Sequence, residues 1–190
     1  MKPTRDSTVS GPSLRAAHHQ VGWYLATEFL TEILELEQYL IPHVQGHMVI
    51  GHKFLGEDET LIVALMRGGE PMAMGISEAM PRAMFLHAKQ PEDMTKGHVE
   101  GKKAVFLVDS VINSGKSVKE FVDHVRALDS RIRIAVVAGV VQERAITDVM
   151  RPLSRIADLS LVALRLSEKK FTGQGGTDTG NRLFNTTNLA

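Results

Sequence analysis

The segment that carries the residues best suited to bind phosphate is a short turn at positions 113–117. The chain reads Val-Asp-Ser-Val-Ile-Asn-Ser-Gly-Lys-Ser over 108–117, directly after the apolar run 104–107. A strand that feeds a helix through such a turn leaves backbone N–H groups and the positive end of a helix dipole facing a ligand. The hydroxyls of Ser114 and Ser117 add further hydrogen-bonding groups. The turn therefore predicts a phosphate site.

Two kinds of site share this chemistry. A nucleoside-triphosphate loop has a glycine, four residues and then Gly-Lys-Ser/Thr, and Gly115, Lys116 and Ser117 supply the second half of it. The first glycine is replaced by Ser110, and Asp109 would face the incoming phosphates with a negative charge. In the other kind, Asp109 accepts hydrogen bonds from vicinal sugar hydroxyls while the turn holds a sugar 5-phosphate. The second interpretation is favoured, and the triphosphate loop stays as an alternative.

Positions 104–117 resemble the phosphoribosyl-pyrophosphate motif of type I phosphoribosyltransferases. That motif has four hydrophobic residues, an acidic residue and a loop that ends in Thr/Ser-Gly-x-Ser/Thr. Most members carry two consecutive acids, whereas here Asp109 is followed by Ser110, as is typical of the uracil phosphoribosyltransferase branch. Positions 61–72 resemble the Arg-Ala-Gly loop of that branch, positions 4–15 its N-terminal arm and positions 173–186 its glycine-rich uracil-binding tail.

The resemblance implies roles for individual residues. Asp109, Arg67 and Asp178 are expected at the reacting centre, with Asp109 on the ribose hydroxyls and Arg67 on the pyrophosphate. The residues expected to bind phosphoribosyl pyrophosphate are Arg67, Gly68, Asp109, Asn113, Ser114, Gly115, Lys116 and Ser117. Those expected to bind the base are Thr177, Asp178, Thr179 and Gly180. Mg²⁺ is expected to bind through the pyrophosphate, and no metal site made of protein ligands is predicted.

The base-binding tail departs from the pattern of the family. Thr177 and Asn185 stand where the family has glycine, and Asn181 stands where it has an acid. The stretch 89–103 lacks the Arg-Asp-Glu-Glu-Thr element of the flexible hood that closes on the substrate. We therefore expect binding of the donor with weak or no transfer to uracil to form uridine monophosphate. The alternative function is a non-catalytic sensor or assembly partner in pyrimidine salvage. The resemblance also implies a homodimer and association with a uridine kinase.

The elements that position these residues follow from the hydrophobic pattern. Apolar residues spaced by four predict a helix over 13–36, and continuous apolar runs predict buried strands. Strands are predicted at 61–66, 82–87, 104–108, 133–141 and 156–166, and helices at 70–80, 117–128 and 143–150. A short strand or hairpin is predicted around 47–55 and a solvated loop at 89–103. The alternation predicts one α/β domain over 1–190, a mostly parallel twisted sheet flanked by helices, with an arm at 1–13 and an irregular tail at 171–190.

Composition narrows the class of protein. The 190 residues are 43% hydrophobic, enough for one domain with a full core. Lys and Arg number 22 and Asp and Glu number 22, so no basic field favours nucleic acid or an anionic membrane. Cysteine is absent, which excludes disulfides and a thiolate nucleophile. No spanning apolar run or signal peptide is evident, so a soluble cytoplasmic protein is expected.

Overall fold

The computed structural model describes residues 2–151, 158–169 and 173–186. The strands are β1 (Leu36–Pro42), β2 (Met48–Phe54), β3 (Thr60–Leu65), β4 (Met84–Ala88), β5 (Ala104–Ile112), β6 (Arg133–Gln142) and β7 (Leu159–Ser167). The helices are α1 (Lys2–Arg5), α2 (Gly11–Leu25), α3 (Thr31–Leu34), α4 (Glu70–Ala79), α5 (Lys96–Val99), α6 (Lys116–Leu128), α7 (Glu143–Ala145) and α8 (Thr179–Phe184). The segments Ala26–Leu30 and Ile146–Met150 are π-helical.

Five strands of the described residues form one parallel sheet in the order β4-β3-β5-β6-β7. This confirms the predicted α/β sheet. Alternate residues of β5 face opposite sides, so Leu107 lies in a cluster with Phe121 of α6, whereas Phe106 lies in a cluster with Met72 of α4. Because helices cover both faces, the central strands are apolar throughout, as parallel sheets generally are.

The predicted N-terminal helix is confirmed as a continuous helical stretch from α2 through the π-helical segment to α3. It packs closely on α4, because a Cβ on Gly22 would lie 1.9 Å from the backbone oxygen of Met72. On the α4 side, a Cβ on Gly75 would lie 2.0 Å from the backbone oxygen of His19 in α2. Small residues at the crossing therefore allow the backbones of α2 and α4 to approach closely.

Several boundaries differ from the sequence prediction. The hairpin begins at Leu36 and pairs β1 with β2 through Phe54, rather than starting near position 47. Residues of both strands are mostly exposed or partly buried, and their sequences show no regular alternation of apolar and polar residues, which is the usual signal of a half-buried strand. β5 continues to Ile112 because Val111 and Ile112 pair with β6, which places Asp109 inside the strand.

Three segments predicted as irregular are ordered. The stretch 89–103 is not a solvated loop, because it holds α5 and buries Met94 and Val99 in the core. The arm 1–13 contains α1 and the first turn of α2, and the tail contains α8. Short capped helices have too few residues to show periodicity, which is why the pattern missed them. Positions 156–157 of the predicted strand and 171–172 and 187–190 of the predicted tail lie outside the described residues.

No helix of the described residues is both long and apolar enough to cross a membrane.

Candidate functional site

The site lies where β3 and β5 end at the carboxyl edge of the sheet, the usual ligand position in open α/β folds. A Cβ on Gly68 would lie 2.9 Å from Ser110 Oγ and 3.1 Å from Asp109 Oδ1, so the loop after β3 passes directly against β5. A cavity of about 320 Å³ opens there. Its lining is Met66, Arg67, Gly68, Asp109, Ser110, Val111, Asn113, Gly173, Asp178, Thr179 and Gly180. Arg67, Gly68 and Asp109, which the resemblance assigns to binding of phosphoribosyl pyrophosphate, thus line one cavity.

Asp109 is a half-buried carboxyl on the wall of this cavity. Burial raises its pKa to about 7, against the opposing effect of hydrogen bonds from the backbone N–H groups of Val111 and Ser110. Near neutral pH the group is therefore poised between carboxylic acid and carboxylate. A ligand that brings hydroxyl donors or positive charge to this carboxyl stabilises its ionised form.

Arg67 is held by the tail of the chain. Its Nη2 donates a hydrogen bond of 2.7 Å to Asn181 Oδ1, and its Nη1 donates one of 3.1 Å to Thr186 Oγ1. Thr186 Oγ1 in turn donates to Asn181 Oδ1 at 2.8 Å. Asp178 Oδ1 lies 4.0 Å from Nη2 of Arg67. The guanidinium is thereby oriented at the cavity wall by residues more than a hundred positions away in the chain.

Asp178 and Gly180 have local structural roles in addition to lining the cavity. Asp178 is the N-cap of α8 and accepts a hydrogen bond of 2.8 Å from the backbone N–H of Asn181. A Cβ on Gly180 would lie 3.3 Å from Arg67 Nε, so a larger residue would press on the guanidinium. Thr177 precedes them and closes its turn with Oγ1 bonds to the backbone of Gln174. Thr177 does not line the cavity, whereas Thr179 does.

The predicted phosphate turn lies between β5 and α6. Gly115 has φ +74°, a left-handed conformation that glycine adopts without strain, and α6 begins at the next residue. Lys116 N lies 3.4 Å from Ser114 Oγ, and the Lys116 ammonium is exposed, 3.8 Å from Glu120. Asn113 lines the cavity. The cavity lining does not include the other residues of the turn, Ser114, Gly115, Lys116 and Ser117. The turn thus lies one residue from the cavity wall.

Residues that sequence analysis did not assign to the site also contribute. Ser110 lines the cavity and is only 2% exposed, yet its Oγ has no hydrogen-bond partner. The sequence offered one indication of this role, because Ser110 follows Asp109 at the position where most type I phosphoribosyltransferases have a second acid. Asn181 and Thr186 orient Arg67, a role that no local pattern indicates because the contact joins distant parts of the chain.

The cavity residues fit a metal ion that is held mainly by a bound pyrophosphate rather than by protein side chains. Among the described residues, no group of three or more His, Asp or Glu side chains is placed to hold a metal. The cavity offers the carboxyls of Asp109 and Asp178. Mg²⁺ commonly binds proteins through one or two carboxylates and takes its remaining ligands from substrate phosphates and water. The donor set therefore suits Mg²⁺ that arrives with a pyrophosphate.

Comparisons with known proteins agree with this architecture. The uracil phosphoribosyltransferase of Pyrobaculum islandicum is 24% identical over 180 residues, which cover 87% of this chain and 82% of that relative. The solved structure of the AQ2163 protein from Aquifex aeolicus superposes with a TM-score of 0.73 at 18% identity, covering 95% of this chain and 90% of that one. The latter shows a shared fold. The sequence model of the uracil phosphoribosyltransferase family matches residues 1–186. The chain therefore belongs to the uracil phosphoribosyltransferase family, in the type I phosphoribosyltransferases.

Proposed function

We propose that the protein binds phosphoribosyl pyrophosphate with Mg²⁺ in the cavity between Arg67 and Asp109. The observation that carries this proposal is the close approach of Gly68 to Asp109, which brings a guanidinium loop and a carboxyl to one cavity. Arg67 would bind the pyrophosphate, Asp109 the ribose hydroxyls, and the amides of 113–117 the 5-phosphate at the start of α6. The family resemblance supplies these roles, and the shared cavity of Arg67, Asp109 and Asn113 supports those of the first two.

The reaction proposed for the bound donor is transfer of ribose 5-phosphate to a ring nitrogen. The bond from C1′ to the pyrophosphate oxygen breaks, and its electron pair leaves with the pyrophosphate. The bond from C1′ to the ring nitrogen forms, and the nitrogen loses its proton to water. Arg67 stabilises the departing negative charge, and the ionised form of Asp109 favours a positively charged ribose. Mg²⁺, when bound, supplies further neutralisation of the pyrophosphate charge.

Transfer to uracil itself is proposed to be weak or absent. Asn181, which replaces an acid of the family pattern, already serves as the hydrogen-bond acceptor of Arg67. Thr177 uses its hydroxyl to close the turn before α8, so the backbone there is fixed by a side chain that glycine would lack. By the family resemblance these changes affect recognition of the base rather than of the donor.

Calorimetry with phosphoribosyl pyrophosphate and Mg²⁺ tests the donor proposal. Binding to the wild type is expected, with strong weakening in Asp109→Ala. Lys116→Ala is the matched variant in the same loop, and it should weaken binding less because its exposed ammonium already faces Glu120. Binding of ATP in place of the donor would instead support the triphosphate-loop alternative.

Formation of uridine monophosphate tests the acceptor side. We expect little product from the wild type and more from the Thr177→Gly, Asn181→Asp double variant. Turnover by the wild type at an ordinary enzyme rate of about 1 per second or more would contradict the proposed weak transfer. Donor binding without product in either protein would favour the alternative of a non-catalytic sensor or assembly partner. Association with a uridine kinase stays a prediction of the resemblance.

We also propose a homodimer, which the exposed apolar residues of the N-terminal half support. Trp23, Tyr24 and Phe29 are between 41% and 47% exposed, and Leu40 and Ile50 of the hairpin are 65% and 60% exposed. Exposed apolar surface of this kind is typical of interfaces. Light scattering should give twice the chain mass at micromolar concentration and the monomer mass for Leu40→Glu. A wild-type monomer under those conditions would exclude the dimer.

A further inference from the structure

A second cavity adjoins the donor cavity. It has a volume of about 400 Å³ and lies between α2, α8 and the ends of β5, β6 and β7. Ser110, Val111, Asn113 and Thr179 line both cavities, so they share a wall of side chains and backbone. Its size falls within the range of small-molecule sites, about 300–1,000 Å³. A molecule bound there would lie beside a donor bound against Asp109.

The charged residues that line the second cavity are positive. Its cationic lining residues are Arg5, Arg165, Lys169 and Arg182, and none of the described residues that line it is acidic. The salt bridges formed by the described residues include none of these four. Burial and the nearby charge of Arg5 lower the pKa of Arg165. The carboxylate of Asp6, which does not line the cavity, interacts with Arg182. Arg5, Arg165 and Lys169 are therefore the like charges that favour an anion between them.

Two buried polar atoms at this cavity also lack partners. Ser110 Oγ is one, on a side chain 98% buried, and Arg182 Nε is the other. The Nη2 of Arg182 donates to the backbone oxygens of Asp6 and Val9 at 2.6 and 2.8 Å, which fixes the guanidinium in place. Buried polar atoms are nearly always hydrogen-bonded, so an orphaned hydroxyl and an orphaned N–H point to a ligand that accepts and donates hydrogen bonds.

The remaining wall of the cavity is apolar. Leu14, Val21, Met72 and Leu164 contribute hydrocarbon surface. His18 belongs to this wall, because it is 6% exposed and its Nδ1 lies 2.9 Å from the backbone oxygen of Leu14. Burial and the charge of Arg182 lower the pKa of His18, so it is neutral at pH 7. A flat ring fits against the apolar wall while its anionic substituent faces the arginines.

We propose that the natural acceptor is a planar heterocycle that carries a carboxylate, bound in this second cavity with the carboxylate toward Arg165 and Arg5. This inference rests on the proposed phosphoribosyl transfer and names its substrate class. In the reaction the acceptor's ring nitrogen bonds to C1′ as the pyrophosphate leaves with the electron pair. The ring nitrogen's proton passes to water, and the carboxylate is unchanged. A neutral base such as uracil leaves the cationic side of the cavity unmatched.

Uracil-6-carboxylate (orotate) and uracil are the probes, because they differ only in the carboxylate. In calorimetry without donor, orotate should bind wild type at least about tenfold more tightly than uracil, the ratio for one charge-assisted hydrogen bond. Arg165→Gln should abolish that preference. Arg131→Gln is the matched control, since Arg131 is a surface residue whose side chain is 89% exposed and pairs with Asp129. With donor and Mg²⁺ present, orotidine monophosphate should form faster than uridine monophosphate.

The outcomes separate this inference from the proposed function. Equal binding of the two probes, or a preference that survives in Arg165→Gln, overturns the carboxylate assignment even where the donor binds. Orotate binding without transfer, in a protein that binds the donor, overturns the acceptor role. Failure to bind the donor refutes the proposed function, and orotate binding is still measured without it. If Arg165→Gln does not fold, Lys169→Gln is measured in its place. A preference for orotate over uracil that neither Lys169→Gln nor added salt reduces then overturns the assignment.

Discussion

Replacing Asp109 by asparagine should stabilise the protein at neutral and alkaline pH. Asparagine keeps the size of the side chain but cannot ionise. In the wild type the pKa of Asp109 is raised to about 7 from 3.8 because the carboxyl is buried. The folded protein therefore binds a proton that the unfolded chain has already lost between these two values. Ionisation of Asp109 above its folded pKa thus favours unfolding.

The sign and size of the effect follow from linkage. Below about pH 4 the carboxyl is protonated in both the folded and the unfolded state, so it does not lower the free energy of unfolding. As pH rises to about 7 the free energy of unfolding falls, and above that value the loss is constant. One unit of pKa corresponds to about 1.4 kcal/mol, so the full loss is at most about 4 kcal/mol. Because the side chain is only half-buried, we expect about 1–3 kcal/mol between wild type and Asp109→Asn at pH 8.

Urea unfolding near pH 4 and pH 8 measures this difference. The advantage of Asp109→Asn should be small at the lower pH and large at the higher one. Asp129→Asn is a matched control of opposite sign, because hydrogen bonds from Arg131 lower the pKa of Asp129. That interaction stabilises the fold above the unfolded pKa and is lost as pH falls. Identical unfolding midpoints of Asp109→Asn and wild type at pH 8 would refute the reasoning, as would a difference that does not change with pH.

Three substitutions test the packing that positions the site. Gly69→Ala would place a Cβ 2.0 Å from a backbone oxygen of β5 and should lower the free energy of unfolding by more than about 3 kcal/mol, whereas Gly176→Ala, with nothing within 4 Å, should have little effect. A midpoint shift of equal size in the two glycine variants would contradict the clash. Phe106→Ala should cost about 3–5 kcal/mol in urea unfolding because the ring is fully buried between the sheet and α4. Glu57→Ala should cost about 1–3 kcal/mol because it removes the acceptor of the Arg82 backbone N–H; an unchanged thermal midpoint would show that water replaces it.

A stability cost at Asp109 is consistent with its proposed role. A buried carboxyl without a positive partner destabilises the fold, but it gains favourable contacts when ribose hydroxyls reach it. Residues of binding sites are commonly less than optimal for stability for this reason. The Asp109→Asn protein is therefore expected to be more stable and to bind the donor less tightly.

The hydrophobic pattern of the chain was enough to predict the parallel sheet, and neighbouring residues were enough to predict phosphate chemistry for the loop after β5. Continuous apolar runs specified β3, β5 and β6, because strands covered on both faces must be apolar throughout. The acid followed by a glycine-bearing turn predicted a sugar-phosphate motif at Asp109 and positions 113–117, since the chemistry of such a loop depends on neighbours in the chain. The family resemblance implied that Arg67 and Asp109 lie together, and the ends of parallel strands at one edge of the sheet give the physical reason.

Other features depended on contacts between distant parts of the chain, which no local pattern encodes. The bonds from Arg67 to Asn181 and Thr186 exist only because the tail returns over the end of β3. The raised pKa of Asp109 depends on how tightly Gly68 and its neighbours cover the carboxyl, a matter of packing rather than of residue type. Arg5, Arg165, Lys169 and Arg182 look like ordinary scattered cations in the sequence. Only the packing of α1, β7 and α8 around one cavity makes them a single positive field, because electrostatic interaction depends on distance in space and not along the chain.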